Sequence, residues 1–200
     1  SAFRKVRAPM PIRLARRFLG QDADRPLALF FANLALEADD TPGWLSHLND
    51  YLSPYGIAPI QLRIGESLLH RLHTDPVPPK GGGPLVSIIM PAFRAERTVE
   101  VVAESILRQS WANLELLIID DASDDGTWAA LQRLAARDSR VLIQRNIRNL
   151  GPYVSKNLAL REARGVYVTG HDADDWAHPQ RIENHLAAVL ASQGAIKAGT

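Results

Sequence analysis

Cysteine is absent from this 200-residue sequence, so disulfide bonds and metal sites built on thiolates are excluded. Long apolar runs are absent as well, because no stretch approaches the roughly 20 residues needed to span a bilayer. Residues 1–17 are basic and contain Pro9 and Pro11, which is unlike a secretory signal peptide. These absences together predict a cytoplasmic protein.

The chain also lacks a strong charge of either sign. It has 23 Lys and Arg residues against 22 Asp and Glu, which gives a formal net charge of +1. This balance offers no argument for a nucleic-acid partner. Hydrophobic residues make up 46% of the chain, which is enough for the core of a globular protein.

Basic residues near the N-terminus all precede Asp22, the first acid of the chain. Such a stretch can hold a protein peripherally at the inner, anionic face of a membrane. The favoured alternative is a solvated or disordered tail. The residues concerned are Arg4, Lys5, Arg7, Arg13, Arg16 and Arg17.

One shift in composition divides the chain. Residues 75–84 are rich in proline and glycine and can neither continue a helix nor fill an interior strand. We therefore predict a linker at 75–84, a small mainly helical accessory domain at 1–74 and a second domain at 85–200.

The predicted accessory domain shows helical periodicity. Apolar residues recur at three- and four-residue spacing over 27–34 and over 45–52, which predicts two helices. Thr41, just before Pro42, is the expected N-cap of the second helix. A short strand is predicted at 60–64, and no chemistry is evident in this part.

After the linker, strands alternate with helices, and a last helix is predicted to end near Gly194. This alternation implies right-handed crossovers and a largely parallel sheet. Ligands bind such sheets beyond the carboxyl ends of the strands, which is where functional residues are expected. The predicted strands are 85–90, ended by Pro91, then 114–119, 141–143 and 166–169.

Acidic residues cluster at two of these strand ends. Asp120 and Asp121 follow the second strand, and Asp172, Asp174 and Asp175 follow the fourth. Residues two apart in an extended chain project to the same side, so Asp172 and Asp174 form a candidate pair of ligands. Crowded carboxylates repel unless a cation offsets them, and hard oxygen ligands suit Mg²⁺ or Mn²⁺. A divalent-metal site is therefore predicted at this rim.

Two further acids follow the second strand. Asp124 and Asp125 precede Gly126, Thr127 and a predicted helix. Asp is common in turns and at helix starts, so the favoured interpretation is that these two side chains cap the helix.

Four segments in order along the chain carry recognisable motifs. They are Val-Ser-Ile-Ile-Met-Pro-Ala-Phe at 86–93, Asp-Asp-Ala-Ser-Asp-Asp-Gly-Thr at 120–127, Asn149 and Gly151 with Lys156 and Asn157, and Asp-Ala-Asp-Asp at 172–175. Together they resemble the family 2 glycosyltransferases. The resemblance implies a GT-A fold, which is a Rossmann-like, mostly parallel sheet with flanking helices. It also implies sugar transfer from a nucleotide-diphosphate sugar, with a UDP-sugar expected, to an acceptor hydroxyl.

The resemblance further implies a nucleotide-binding set of residues. Pro91, Ala92 and Phe93 would line the base and ribose site. Asp121 would hydrogen-bond the base, and Asp120 would support it.

The resemblance places a metal at the other end of the donor. Asp172 would face the ribose or a water on the metal, and Asp174 would coordinate Mn²⁺ or Mg²⁺ on the diphosphate. Lys156 is the candidate for a further cation that stabilises the charge of the departing nucleoside diphosphate. Lys156 and Asp172 thus join the nucleotide-binding set, and the expected metal ligands are Asp174 and Asp172.

The sequence departs from the family pattern at several positions. Arg94 stands where Asn is common, and Lys156 stands where Arg is common, which keeps the charge but loses the bidentate fork. His171 occupies a usually apolar position, and a packed or hydrogen-bonded histidine is favoured over a metal ligand. Trp176 is favoured as a wall of the site or as core over a sugar platform.

Transfer with inversion requires a general base that deprotonates the acceptor hydroxyl. In the family this base is a carboxylate after the Asp-x-Asp motif, so we expect it beyond Thr200 and do not favour Glu183. We expect this chain to bind nucleotide diphosphate and metal but to transfer sugar poorly. A glycan or lipid-linked acceptor in polysaccharide or glycoconjugate synthesis is expected for the complete enzyme.

Two other functions stay open. A nucleotidyl or phosphoryl transferase would also place acids and a metal at strand ends, but no glycine-rich phosphate loop is present. The alternative is a non-catalytic nucleotide-binding or regulatory module of the same fold. A carboxylate base and an acceptor motif further along the full-length gene would favour the enzyme.

Overall fold

The computed structural model of this chain describes residues 24–192, which form two compact units that divide between Gln61 and Leu62. This division falls earlier in the chain than the segment 75–84, and the domain bounds given above stay a prediction. The first elements in chain order are α1 (Asp24–Glu37), α2 (Thr41–Leu52), a 3₁₀ turn (Ser53–Tyr55) and β1 (Ile60–Leu62).

The two helices of the first unit, α1 and α2, pack against each other. The N-cap of α2 is Asp40, whose carboxylate accepts a hydrogen bond from the Gly43 amide at 3.0 Å. The prediction of Thr41 as the cap was therefore wrong by one residue. Thr41 is already the first helical residue, and Asp40 stands three residues before the amide that needs an acceptor.

Strands and helices alternate through the second unit. The last of these elements ends at Ala191, just before the described part of the chain ends at residue 192. The elements are α3 (Leu68–Arg71), β2 (Leu72–Thr74), β3 (Val86–Ala92), α4 (Val99–Leu107), β4 (Leu114–Asp120), α5 (Thr127–Arg137), β5 (Val141–Arg145), α6 (Pro152–Glu162), β6 (Tyr167–Gly170) and α7 (Arg181–Ala191).

The main sheet of this unit has four parallel strands in the order β5-β4-β3-β6. The central strands β3 and β4 are almost wholly buried, as their apolar runs predicted. Helices α4, α5 and α7 contribute apolar side chains to the larger core, while Ala159 of α6 packs with Ile89, Leu117 and Ile119. The predicted α/β fold, with a helical region before a parallel sheet, is confirmed.

Strand β3 continues through Pro91 to Ala92, so the prediction that Pro91 ends it was wrong. Pairing between β3 and β6 stops at Ile89 and Gly170, whereas pairing with β4 continues to Ala92. Beyond Ile89 the strand therefore has a neighbour on one side only. A residue without an amide hydrogen is tolerated at such a position.

The proline- and glycine-rich segment 75–84 is bonded to the second unit. The Lys80 amide donates to the Ser110 carbonyl at 2.6 Å, and the Lys80 carbonyl accepts from Ala112 at 2.9 Å. The Trp111 indole donates to the Pro84 carbonyl at 3.1 Å. These long-range bonds fix the segment just before it enters β3.

A buried carboxylate on β4 bonds both β3 and the segment just before β6. Glu115 of β4 lies opposite Ser87 of β3 and accepts a hydrogen bond from its hydroxyl at 2.6 Å. It also accepts from the Arg164 amide at 2.7 Å and pairs with the Arg164 guanidinium at 2.6 Å. Burial by itself raises the pKa of the Glu115 carboxyl, but the bonds from Ser87 and Arg164 outweigh burial and hold the pKa below its usual range.

We expect Glu115→Ala to lower the free energy of unfolding by about 2 kcal/mol at pH 7, because the Ser87 hydroxyl and Arg164 amide lose their acceptor. Because the folded pKa is depressed, the difference should persist above about pH 4.3 and shrink as the pH falls further. Urea unfolding measures it. The control Glu162→Ala removes an exposed carboxylate and should change stability by less than about 0.5 kcal/mol. Equal stability of the two variants would contradict this role of Glu115.

Between residues 24 and 192 the structure contains no helix with the length and apolar character that crossing a membrane requires. The basic N-terminal cluster lies outside the described residues, so peripheral membrane association stays a prediction. The predicted helix end near Gly194 also lies outside them.

Candidate nucleotide-diphosphate site

A cavity of about 560 Å³ opens at the carboxyl ends of β3, β4 and β6, beside the start of α6. It brings together every predicted nucleotide-binding and metal-binding residue except Asp120. The roles of these residues stay predictions, but both predicted sets face one space. The residues from those sets that line it are Pro91, Ala92, Phe93, Asp121, Lys156, Asp172 and Asp174.

Asp121, directly after β4, is 3% exposed and holds the next loop in place. Its Oδ1 accepts hydrogen bonds from the Asn146 side chain at 2.6 Å and from the Leu150 amide at 2.8 Å. Its Oδ2 accepts from the Gly151 amide at 2.7 Å. Gly151 has φ +84°, a conformation that favours glycine, and it is the N-cap of α6.

The electrostatics of Asp121 follow from these contacts. Burial by itself raises the pKa of its carboxyl, but the hydrogen bonds from Leu150, Asn146 and Gly151 outweigh burial and hold the pKa below its usual range. Asp121 is therefore a carboxylate at neutral pH. As an acceptor it can bind only a ligand group that donates a hydrogen bond.

Asp120, the last residue of β4, is fully buried and does not line the cavity. Its Oδ1 accepts from the Ser123 amide at 3.1 Å, and its Oδ2 lies 2.9 Å from Arg145 Nε. Ser123 in turn accepts from the Arg94 amide at 3.0 Å. Asp120 thus holds the turn after β4, and its side chain acts there through Ser123.

The acids that follow this turn behave differently from each other. Asp125 Oδ1 accepts from the Thr127 amide at 3.0 Å, but the N-cap of α5 is Gly126, so the interpretation of Asp124 and Asp125 as caps was wrong. Asp124 instead forms a two-point ion pair with Arg94, both bonds being 2.7 Å long. Arg94 has φ +50°, and its guanidinium lies 5.3 Å from the Phe93 ring centroid. The pair is largely exposed, so it orients Arg94 at the cavity edge more than it stabilises the fold.

The turn after β6 presents two carboxylates to the cavity. Asp172 and Asp174 are exposed, while Ala173 between them is 8% exposed and belongs to the core. Lys156 Nζ lies 2.9 Å from Asp172 Oδ1. Among the described residues the Asp174 carboxylate has no hydrogen-bond or ion-pair partner. Asp174 is therefore the carboxylate available to a cation.

These carboxylates suit one kind of metal site. Mg²⁺ and Mn²⁺ bind through one or two carboxylates, with phosphate oxygens and waters completing the shell. Within residues 24–192 no group of three or more His, Cys, Asp or Glu side chains is arranged to hold a metal. The assignment of Asp172 and Asp174 as metal ligands stays a prediction.

His171, at the end of β6, is 8% exposed and both of its ring nitrogens are hydrogen-bonded. Burial is the largest cause that lowers the pKa of His171, and the Arg181 guanidinium lowers it further. The contacts agree with the interpretation of a packed, hydrogen-bonded histidine.

Glu183 of α7 does not line the cavity. Its carboxylate accepts from the Ser110 hydroxyl at 2.6 Å and pairs with Lys80. These contacts hold the 75–84 segment against α7 and give Glu183 a structural role.

Four residues that line the cavity were not singled out from the sequence: Ala95, Thr98, Pro152 and Tyr153. Tyr153, 81% exposed on the first turn of α6, lines the cavity together with Thr98. Tyr153 could have been found from the sequence, because it is an aromatic residue only two positions after the motif glycine Gly151. Thr98 gave no signal, because the loop that turns it toward the cavity is not visible in the sequence pattern.

Comparison with known proteins gives matches to the second unit. The sequence profile described as glycosyl transferase family 2 matches residues 87–197, more than half of the chain. The putative glycosyltransferase EpsE of Bacillus subtilis is 42% identical over 106 residues, which are 52% of this chain and 38% of EpsE. The UDP-Glc:α-D-GlcNAc-diphosphoundecaprenol β-1,3-glucosyltransferase WfaP of Escherichia coli is 35% identical over 102 residues, which are 51% of this chain and 40% of WfaP. The chain thus spans about two fifths of each relative's length.

Solved structures share the fold. The mannosyltransferase PcManGT of Pyrobaculum calidifontis, in complex with GDP-Man and Mn²⁺, is similar over 57% of this chain and 35% of its own, with 28% identity and a TM-score of 0.51. TarS of S. aureus, in complex with UDP-GlcNAc, is similar over 54% of this chain and 32% of its own, with 23% identity and a TM-score of 0.50. These likenesses confirm the predicted GT-A fold. Because the profile covers more than half of the sequence, the chain belongs to glycosyl transferase family 2.

Proposed function

We propose that the second unit binds a nucleotide-diphosphate sugar together with Mn²⁺ or Mg²⁺, as the donor half of an inverting glycosyltransferase. One observation carries this proposal. A single cavity holds a buried carboxylate, Asp121, at one place and a lysine and two exposed carboxylates, Lys156, Asp172 and Asp174, at another. The first suits a nucleobase and the second suits a diphosphate with its cation.

At the base end, Asp121 accepts a hydrogen bond from the nucleobase. The loop donors Asn146, Leu150 and Gly151 already fix the direction of its oxygens before any ligand arrives. Pro91, near the end of β3, and Phe93, just after it, line the cavity and form the wall beside the base and ribose. A preorganised acceptor of this kind lowers the entropy lost on binding.

At the phosphate end, Asp172 and Asp174 hold the cation, and Lys156 neutralises one phosphate oxygen. A divalent ion bound there offsets the negative charge of the leaving nucleoside diphosphate. Lys156 keeps Asp172 oriented through the 2.9 Å ion pair until ligand binds. We assign the role of general base to none of the cavity residues.

We further propose that the acceptor is a glycan or a lipid-linked sugar in polysaccharide or glycoconjugate synthesis. The support is the name of the relative WfaP, which specifies a sugar on diphosphoundecaprenol as its acceptor. UDP is the expected nucleotide, since the names of WfaP and of the TarS complex both specify a UDP-sugar.

Calorimetric titration tests the donor site. The chain is titrated with UDP, GDP, CDP and dTDP, first with Mn²⁺ and then with EDTA. We expect one nucleotide, UDP, to bind with Mn²⁺ and to bind at least about tenfold more weakly in EDTA, because the cation bridges protein and phosphate. UMP is the matched control ligand, since it lacks the second phosphate and should lose most of the metal dependence. Absence of binding by all four nucleotides would overturn the proposal.

A further inference from the structure

The ring of His171 bridges two parts of the second unit. Its Nε2 lies 3.1 Å from the carbonyl oxygen of Asp175, and its Nδ1 lies 3.0 Å from Nη1 of Arg181. Guanidinium nitrogens only donate, so Nδ1 accepts from Arg181. The proton must then sit on Nε2, which donates to the Asp175 carbonyl. The contacts therefore specify one neutral tautomer of His171.

This ring closes the turn that carries Asp172 and Asp174. The backbone amide of His171 donates to the Ile89 carbonyl of β3 at 2.9 Å, which fixes the beginning of the turn. The bond from the ring to Asp175 fixes its end. Between them Ala173 is held in the core. With these three points fixed, residues 172 and 174 have little freedom to turn away from the cavity.

Arg181 fixes the ring in turn. From the first residue of α7, its Nη2 donates to the Gly170 carbonyl at 2.8 Å and to the Thr169 hydroxyl at 3.2 Å. The planar guanidinium thus spans the last two residues of β6 and the His171 ring at once. A lysine offers no such fork.

We propose that His171 and Arg181 are positioning residues, which hold the turn 172–175 so that the carboxylates of Asp172 and Asp174 face the cavity. The role of those carboxylates rests on the proposed function, whereas the ordering of the turn does not. Neither side chain lines the nucleotide cavity, although both line a neighbouring cavity of about 440 Å³ that shares Lys156 and Asp172 with it. Their hydrogen bonds go to β6 and to the end of the turn, so their effect reaches the nucleotide cavity through Asp172 and Asp174.

Amide hydrogen exchange on the ligand-free protein tests the ordering. We expect His171→Leu, which keeps an apolar volume but removes both hydrogen bonds, to speed exchange in residues 172–176 by about tenfold. His171→Gln should restore slow exchange, because an amide carries one acceptor and one donor. Arg181→Lys should speed exchange as well. Unchanged exchange in His171→Leu, or exchange in His171→Gln as fast as in His171→Leu, would overturn the proposal.

The Mn²⁺ dependence of UDP binding separates positioning from general stability. In His171→Leu we expect the Mn²⁺ concentration that gives half-maximal enhancement of UDP binding to rise by about tenfold. Loss of a residue that orients a metal ligand has an effect of this size. UDP affinity in EDTA should be unchanged, which a general loss of folding would not allow. An unchanged Mn²⁺ requirement overturns the positioning role. If the wild-type chain binds none of the four nucleotides, the proposed function fails, while the exchange result still decides whether the pair orders the turn.

Discussion

Asp174→Ala is expected to weaken UDP binding in Mn²⁺ to the level that the wild type shows in EDTA. Asp174 is exposed at the cavity and has no partner among the described residues, so the substitution breaks no contact of the fold. Loss of a direct ligand should weaken metal binding by at least about 100-fold, since loss of an outer-shell partner alone weakens it 10–100-fold. Calorimetric titration with and without EDTA measures both effects.

Glu162→Ala is the matched control for this substitution. It removes an exposed carboxylate from the second unit at the end of α6, outside the cavity, and changes the net charge equally. It should leave UDP binding unchanged in Mn²⁺ and in EDTA. If Asp174→Ala binds UDP and Mn²⁺ as tightly as this control, Asp174 is not a metal ligand.

Asp121→Asn is expected to damage both the fold and the donor site. The amide nitrogen of an asparagine cannot accept, so at least one of the three donors Asn146, Leu150 and Gly151 loses its partner. The free energy of unfolding should fall by about 2 kcal/mol, and UDP affinity should fall about 30-fold, which is the same energy in binding. Urea unfolding and titration in EDTA measure the two losses, because the base contact needs no metal.

The stability difference between the wild type and Asp121→Asn should depend on pH in one direction. Hydrogen bonds hold the folded pKa of Asp121 below its usual value, so its stabilising contribution is present above about pH 4 and is lost as the pH falls below that. Wild type and Asp121→Asn should therefore converge in stability in acid. Asp50→Asn, an exposed aspartate in α2, is the control and should shift stability by less than about 0.5 kcal/mol. An Asp121→Asn variant as stable as this control would contradict the bonding scheme around Asp121.

Much of the fold was predictable because the central strands are buried on both faces. The apolar runs of β3 and β4 require no knowledge of their neighbours, so they stood out in the sequence. The exception was Pro91. Strand β3 tolerates a proline there because its pairing with β6 has already ended at Ile89, so no partner on that side needs an amide hydrogen. The anchoring of Lys80 to Ser110 was not predictable, since nothing local relates two residues so far apart in sequence.

The candidate site was predictable in outline but not in detail. Motif order placed the acids at one edge, yet Asp120 and Asp121 are neighbours with equal chemistry in the sequence. In the structure both are buried, but only Asp121 lines the cavity, while Asp120 bonds the turn after β4. His171 bonds Asp175 and Arg181, four and ten residues further along the chain, and these contacts depend on how the turn and α7 fold back onto β6. A motif position that is usually apolar gave no indication of them.

The strand order also bears on how the protein is made. Strand β6 pairs with β3, although β4, β5 and three helices lie between them in the chain. During synthesis β3 and β4 emerge first and can pair while β6 is still inside the ribosome, and such distant parallel pairing is slow. Asp121 follows β4, whereas Asp172 and Asp174 follow β6. A nascent chain can therefore place Asp121 before Asp172 and Asp174 reach the sheet, and the proposed donor site is complete only once β6 has joined it.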